Sequence, residues 1–184
     1  MSNLAHALPR THSTRRTALA MLLAAGLAVA STLLVLSLTS HRAAAPKGHV
    51  YTAPQHAFAI AYPAGWQAVP ASQGVVLRRA DRKGLIVVRP ATMPANEPLS
   101  KLAGQITAQL KKRFTDFKLV NARVAQTRGG TGFLYTFART KAGVVQSILV
   151  ARAGTRIYSL YAVAPAAQPE VARQTGQILG TFGR

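Results

Sequence analysis

The sequence predicts an α+β fold in which an antiparallel β-sheet of about six to seven strands is flanked by helices and preceded by one transmembrane helix. Three observations indicate this arrangement. A long uncharged segment lies near the N-terminus, several short β-type runs are joined by Gly-containing turns, and two later segments have apolar residues at helical spacing. Strands joined by tight turns form a meander rather than βαβ units, so the sheet is expected to be antiparallel.

The N-terminal segment is predicted to be a transmembrane signal anchor at residues 17–40, after a basic cytoplasmic N-terminus at residues 1–16. The segment 17–40 contains no charged residue, and a helix of about 20 residues spans the hydrocarbon core of a bilayer. More basic residues precede this segment than follow it closely, which favours a cytoplasmic N-terminus and a domain outside the cytoplasm. The basic residues that precede it are Arg10, Arg15 and Arg16, and those that follow are Arg42 and Lys47.

A cleaved secretory signal is the alternative interpretation. Ala28-Val29-Ala30 has the small-x-small form of a cleavage site, but cleavage there would leave an apolar new terminus. Cleavage after Ala45 would place Pro46 immediately downstream. Under this alternative the chain is a secreted protein with the same domain.

The domain is predicted to occupy residues 50–184, after a linker at residues 41–49. Phe58, Ile60 and Tyr62 alternate with alanines, which is typical of a strand, and the following Pro63-Ala-Gly-Trp66 should end it. A hairpin is predicted next, and four further strands follow the first helix. The predicted hairpin strands are 74–79 and 85–89, and the four later strands are 118–127, 132–140, 144–152 and 156–163.

Two helices are predicted from apolar residues at three- and four-residue spacing. The first is expected to begin with Asn96 or Glu97 as a cap and Pro98 in its first turn, and the second opens with Pro169 and Glu170. The apolar stripe of the first is Leu99, Leu102, Ala103, Ile106, Leu110 and Phe114, and that of the second is Val171, Thr175, Ile178, Leu179 and Phe182.

The segment Phe58-Ala-Ile-Ala-Tyr62-Pro63-Ala-Gly-Trp66 resembles the opening of PsbP-like domains and their bacterial relatives of the DcrB and LpqN types. The later order of elements is similar too, with a helix in the middle, a four-strand meander and a C-terminal helix. The resemblance implies an αβα sandwich and a role as an extrinsic subunit, assembly helper or interaction module. It carries over no site residues, and the lipid-bearing Cys of the bacterial lipoproteins is absent.

Composition narrows the possible chemistry. The chain has 23 Lys plus Arg against 4 Asp plus Glu, a formal charge of +19, and no Cys. Cysteine nucleophiles, thiolate metal sites and disulfides are therefore excluded. The charge predicts attraction to anionic partners, although a compositional bias toward Arg and Ala would also explain it.

No catalytic, cofactor-binding or metal-binding residues are predicted. The domain's carboxylates are far apart in sequence and fall in turns or at helix ends, and its two histidines, His49 and His56, have no further ligands at a recognisable spacing. The segment 129–132 joins two strands, which favours a hairpin turn over a phosphate loop. Trp66 and the Phe133, Tyr135 and Phe137 series are interpreted as core residues, and Tyr158 and Tyr161 should lie on opposite faces of their strand.

Basic residues gather at the predicted turns and are the candidate anion-binding residues. Since successive turns of a meander alternate between the ends of a sheet, Arg128, Arg152 and Arg156 should share one end, with Arg139 and Lys141 at the other. Charge at both ends argues against a single groove for nucleic acid. The candidates are Arg78, Arg79, Arg82, Lys83, Arg128, Arg152 and Arg156.

The expected function is that of a membrane-anchored, extracytoplasmic, non-catalytic binding or accessory module. Its expected partners are an envelope protein or an anionic lipid or cell-wall polymer, and residues 48–184 contribute 18 basic and 4 acidic side chains, a net +14. Nucleic-acid binding is the alternative from another functional class.

Overall fold

The computed structural model describes residues 48–92 and 99–184. The predicted cytoplasmic segment, the predicted anchor at 17–40 and nearly all of the predicted linker lie outside the described residues. Within the described ranges, no helix combines the length and apolar character needed to cross a bilayer.

Nine strands and two α-helices make up the described domain. The strands before the first helix are β1 (Gly48–Thr52), β2 (Ala59–Pro63), β3 (Trp66–Ala71), β4 (Gly74–Arg79) and β5 (Leu85–Pro90). Helix α1 (Leu99–Arg113) is followed by β6 (Phe117–Thr127), β7 (Gly130–Arg139), β8 (Val144–Ala153), β9 (Arg156–Pro165) and helix α2 (Pro169–Gly180).

Seven of these strands form one fully antiparallel sheet in the order β3-β4-β5-β9-β8-β7-β6, and β1 pairs with β2 in a separate two-stranded sheet. The predicted antiparallel sheet of six to seven strands is thus confirmed. Strands β1 and β3 were not predicted. The turn at Gly65 has a φ of +83°, and the chain leaves it directly into β3 rather than into a loop.

The two helices cover opposite faces of the large sheet, so the predicted αβα arrangement is confirmed. Ile178 and Leu179 of α2 belong to a core that includes Leu134, Leu149 and Leu160. Ile106 and Leu110 of α1 belong to a second core with the ring series of β7 and with Ile148 and Val150. Because neighbouring residues of β7 alternate between these cores, the sheet is buried on both faces there.

The residues of the opening motif connect the N-terminal part of the domain with its C-terminal segment. The rings of Phe58, Tyr158 and Phe182 meet with centroids 5.0–5.5 Å apart. Thr181 Oγ1 lies 2.9 Å from the backbone nitrogen of Ala61, whose N–H donates to it. The segment that follows α2 is thereby fixed against β2, which determines where the last residue, Arg184, is placed.

Candidate anion-binding surface

Strand register divides the domain into two ends. The Gly48 end is defined by the first described residue together with the turns 80–84 and 140–143. The Gly154 end is defined by the turns 128–129, 154–155 and 72–73 and by residues 183–184. Strand β8 has ten residues, so the two ends are roughly 30 Å apart.

The candidate residues split between these ends and do not form one site. Arg78, Arg79, Arg82 and Lys83 lie at the Gly48 end, where β4 turns into β5. The other three candidates lie at the Gly154 end, as their spacing predicted. They are Arg128, Arg152 and Arg156.

At the Gly48 end, part of the basic charge is already paired. Asp81 lies 3.4 Å from the Nε of Arg79 and accepts the backbone N–H of Lys83 at 3.0 Å. Arg82 has a φ of +61°, and Arg82, Lys83 and Arg78 are exposed. This group is therefore a solvated turn that carries its own carboxylate.

At the Gly154 end, backbone hydrogen bonds clamp the turn that carries Arg128 onto the C-terminal segment. The N–H of Arg128 donates to Gly180 O at 3.1 Å, and the N–H of Gly129 donates to Phe182 O at 3.0 Å. Gly183 packs so closely that a Cβ there would lie 2.7 Å from the Gly129 Cα. Only glycine fits this contact between two backbones.

The structure adds a fourth arginine to this end, Arg184, which the sequence analysis did not single out. Its Nε donates to His56 O at 3.3 Å, and a Cβ on Gly154 would lie 3.3 Å from its Cζ. Arg184 thus lies across the turn between Arg152 and Arg156. Periodicity could not have found it, because its position depends on contacts with residues distant in sequence.

Acidic side chains are distributed unevenly between the ends. Three carboxylates fall within the described residues, namely Asp81, Asp116 and Glu170, and all three lie at the Gly48 end. Glu97 lies outside the described residues. Arg89 also lies at the Gly154 end, where it pairs with Ser159 beside the 72–73 turn. In the described part of the chain, the Gly154 end therefore has five arginines and no acidic side chain.

The buried carboxylate of Asp116 accepts three hydrogen bonds from structural partners. It accepts Nε of Arg139 at 2.6 Å and the backbone N–H groups of Lys141 and Ala142 at 3.0 and 3.2 Å. Burial by itself would raise the pKa of this carboxyl, but the Arg139 and Ala142 hydrogen bonds and the Arg139 charge together hold the pKa below its usual range. A buried carboxylate that is held by three hydrogen bonds and has a lowered pKa is a weak base, so its position fits a structural role.

Two tyrosines have raised pKa values. Tyr135 belongs to the second core, which contains Ile106 and Leu110 of α1, and Tyr161 packs against it. Burial raises the pKa of Tyr161 to about 12, although the charges of Arg139 and Arg113 act in the opposite direction. Burial also raises the pKa of Tyr135, whose hydroxyl is 2.7 Å from Thr107 Oγ1. Both phenols are therefore protonated at physiological pH.

The glycine-rich segment and the aromatic residues considered as possible sites occupy structural positions. Residues 128–129 connect β6 to β7, so the glycine-rich segment is a hairpin turn as predicted. Trp66 and the Phe133, Tyr135 and Phe137 series are buried in the cores, and Tyr158 and Tyr161 are on opposite faces. Among residues 48–92 and 99–184, no group of three His, Cys, Asp or Glu side chains is placed to hold a metal.

The sequence matches no family model and no curated protein. Solved structures do match. Cyanobacterial PsbP from Synechocystis superposes with a TM-score of 0.54 and 18% identity, over 73% of this chain and 90% of that protein. The domain has a PsbP-like fold.

Two further structures are similar to this PsbP-like domain. The Ran-binding protein Mog1p of Saccharomyces cerevisiae has a TM-score of 0.53 and 12% identity, over 73% of this chain and 93% of its own. LpqN of Mycobacterium tuberculosis, involved in cell envelope biogenesis, has a TM-score of 0.48 and 18% identity, over 68% and 82%. At these identities the likeness concerns the fold alone.

Proposed function

We propose that the chain is a membrane-anchored, extracytoplasmic binding module that is non-catalytic and engages an envelope protein or an anionic surface. The observation that carries this proposal is the contrast between buried and exposed charge. Asp116, the one buried carboxylate of the described residues, is used to hold the fold, whereas arginines without carboxylate partners are exposed at the Gly154 end.

The fold is compatible with a binding role. Mog1p, which has the same fold, is a Ran-binding protein, so this architecture can present a surface to a protein partner. The likeness identifies no partner for the present chain. The likeness supports a binding role, and the choice of partner depends on the residues of this chain.

The position of Gly48 supports tethering through the segment that precedes it. Gly48 pairs with Pro63, so the chain reaches the domain at the end where Arg78, Arg82 and Lys83 are exposed. Basic residues close to an anionic membrane surface each contribute about 1 kcal/mol of attraction. With an anchor at 17–40, the Gly48 end would face the membrane and the Gly154 end would face away.

The absence of cysteine permits a direct topology experiment. Ser2→Cys and Ser72→Cys each introduce one thiol into a chain that has none. In bacterial spheroplasts that express the full chain, we expect a membrane-impermeant maleimide to label Ser72→Cys without lysis and Ser2→Cys only after lysis. Labelling of Ser72→Cys only after lysis would overturn the extracytoplasmic location.

The binding role is tested by recovering partners of the tagged full-length chain from membranes at low and at physiological salt. A defined protein that remains bound at physiological salt would support the proposal. Recovery of nucleic acid alone, lost as salt rises, would favour the alternative of polyanion binding. Release of the chain into the medium in processed form would replace the anchor with a cleaved signal.

A further inference from the structure

The Gly154 end carries a compact set of guanidinium groups with fixed backbones. The turns that bear Arg128 and Arg152–Arg156 join strand pairs two positions apart in the sheet, so their centres are roughly 10 Å apart. The C-terminal segment bonds to the first turn, and Arg184 lies on the second. A binding surface built on backbones that are already fixed loses little conformational entropy when a partner binds.

These groups are suited to oxyanions. A guanidinium has a planar fork of donors that matches a carboxylate or a phosphate in a bidentate manner, whereas an ammonium acts as a point charge. The four basic residues on these two turns and the C-terminal segment are all arginines, and their side chains are exposed. In the described part of the chain they have no acidic side chain with which to pair.

The surroundings favour a protein partner over nucleic acid or lipid. The rings near this end, Phe58, Tyr158 and Phe182, are buried in the core and cannot stack on bases. The candidate basic residues are divided between two ends roughly 30 Å apart rather than gathered in one groove for a long polyanion. The Gly48 end, where the anchor would attach, is roughly 30 Å away, beyond the Debye length of about 8–10 Å.

We propose that the Gly154 end, through Arg128, Arg152, Arg156 and Arg184, is the recognition surface for an acidic patch of a partner protein. This inference deepens the proposed binding role and depends on that role, but it does not depend on the anchor. The arginines pair with Asp or Glu side chains of the partner. Specificity comes from the spacing of the two turns.

The experiment compares two variants with equal loss of charge in the full chain, held in nanodiscs of zwitterionic lipid. Arg128→Gln/Arg152→Gln/Arg156→Gln removes three positive charges at the Gly154 end, and Arg78→Gln/Arg82→Gln/Lys83→Gln removes three at the Gly48 end. The probe is a fluorescent deca-glutamate peptide, and its Kd is measured at low and at physiological salt. The extended peptide is about 33–36 Å long and could reach both ends, so a tetra-glutamate peptide of about 13–14 Å is measured beside it. Because exposed ion pairs contribute modestly and add up, the first variant should weaken binding of either peptide about tenfold or more. The second should weaken it less than about twofold, since its charges lie a Debye length or more from the site.

A third variant, Arg128→Lys/Arg152→Lys/Arg156→Lys, keeps the charge but removes the guanidinium fork. We expect it to bind the peptide more weakly than the wild type and more strongly than the glutamine variant. Equal loss in the two glutamine variants would overturn the proposal, because it would show that only net charge matters. Retained binding in the first variant would overturn it too.

Competition separates this inference from the proposed function. Duplex DNA, polyphosphate and phosphatidylglycerol vesicles are added in turn at physiological salt. If one of them binds and the peptide does not, the acidic-protein inference fails while the chain remains a binding module. If none of the four ligands binds, the acidic-protein inference fails, and the binding role is then decided by the recovery of protein partners from membranes. Melting followed by the fluorescence of Trp66, the only tryptophan, establishes that every variant is folded.

Discussion

Asp116 and Arg139 form a 2.6 Å ion pair that fixes the β7–β8 turn against the start of β6. The guanidinium of Arg139 also lies over the ring of Phe114, with its Cζ 3.8 Å from the ring centroid. The carboxylate is almost fully buried and binds two backbone N–H groups of the turn as well. One side chain thus connects the junction after α1 with the middle of the meander.

Replacing Asp116 should therefore destabilise the domain. Asp116→Asn removes the counter-charge of Arg139 and turns one acceptor oxygen into a donor NH2, which must face either Arg139 Nε or the two turn N–H groups. This should lower the free energy of unfolding by about 2–4 kcal/mol. The exposed Asp81 provides the control, and Asp81→Asn should cost less than about 1 kcal/mol. Urea unfolding followed by Trp66 fluorescence measures both. Equal effects would contradict the structural role of Asp116.

The same pair predicts an acid-dependent stability. The pKa of Asp116 is lower in the folded state than in the unfolded chain, so the unfolded state binds the proton first as pH falls. The stabilisation is complete above the unfolded pKa of about 3.9 and is lost as pH falls through the folded pKa. The difference in unfolding free energy between the wild type and Asp116→Asn should shrink between pH 6 and pH 2. A constant difference across this range would show that the carboxylate's charge does not matter.

Replacing the buried amide of Gln146 should raise the free energy of unfolding, whereas Asp116→Asn should lower it. Gln146 of β8 is 7% exposed, and its Oε1 has no hydrogen-bond partner. Gln146→Met keeps the length of the side chain and removes a desolvated carbonyl, so unfolding should cost about 1 kcal/mol more than in the wild type. Gln67→Met, on the exposed face of β3, should change the stability little. A loss of stability in Gln146→Met would mean that the amide is satisfied in solution.

Local patterns in the sequence were sufficient for the elements of the meander. The predicted strand at 144–152 differs from the observed β8 by one residue, because glycine-containing turns mark both of its ends. The two helices follow the predicted period of 3.6, but they end at Arg113 and Gly180, so Phe114 and Phe182 of the predicted stripes lie just beyond them. Glycine residues predicted the hairpin turns. Since successive turns alternate between the ends of the sheet, the placement of Arg128 and Arg139 at opposite ends could be predicted as well.

The features that the sequence analysis did not predict depend on pairing between residues distant in sequence. Strand β3 lies at the edge of the sheet and contains Pro70, which an edge strand tolerates because one side of its backbone has no strand partner. Strand β1 is only five residues long and mostly exposed, so it has no burial period to detect. Arg184 joins the candidate surface through Gly183, which bridges to Ala59, and no local pattern records that contact.

That contact provides the last prediction. A Cβ at Gly183 would lie 2.7 Å from the Cα of Gly129 and 2.8 Å from the carbonyl carbon of Arg128, and backbone atoms cannot move away as a flexible side chain could. Gly183→Ala should therefore cost about 1–3 kcal/mol and should also weaken peptide binding, since it displaces both Arg128 and Arg184. Gly104, exposed within α1, has open space where a Cβ would lie, with nothing within 4 Å, and Gly104→Ala should stabilise the domain by about 0.5–1 kcal/mol. Urea unfolding and the peptide Kd are measured for both. If Gly183→Ala were as stable as the wild type, the C-terminal segment would not be clamped between β2 and the β6–β7 turn, and Arg184 would have no fixed place at the Gly154 end.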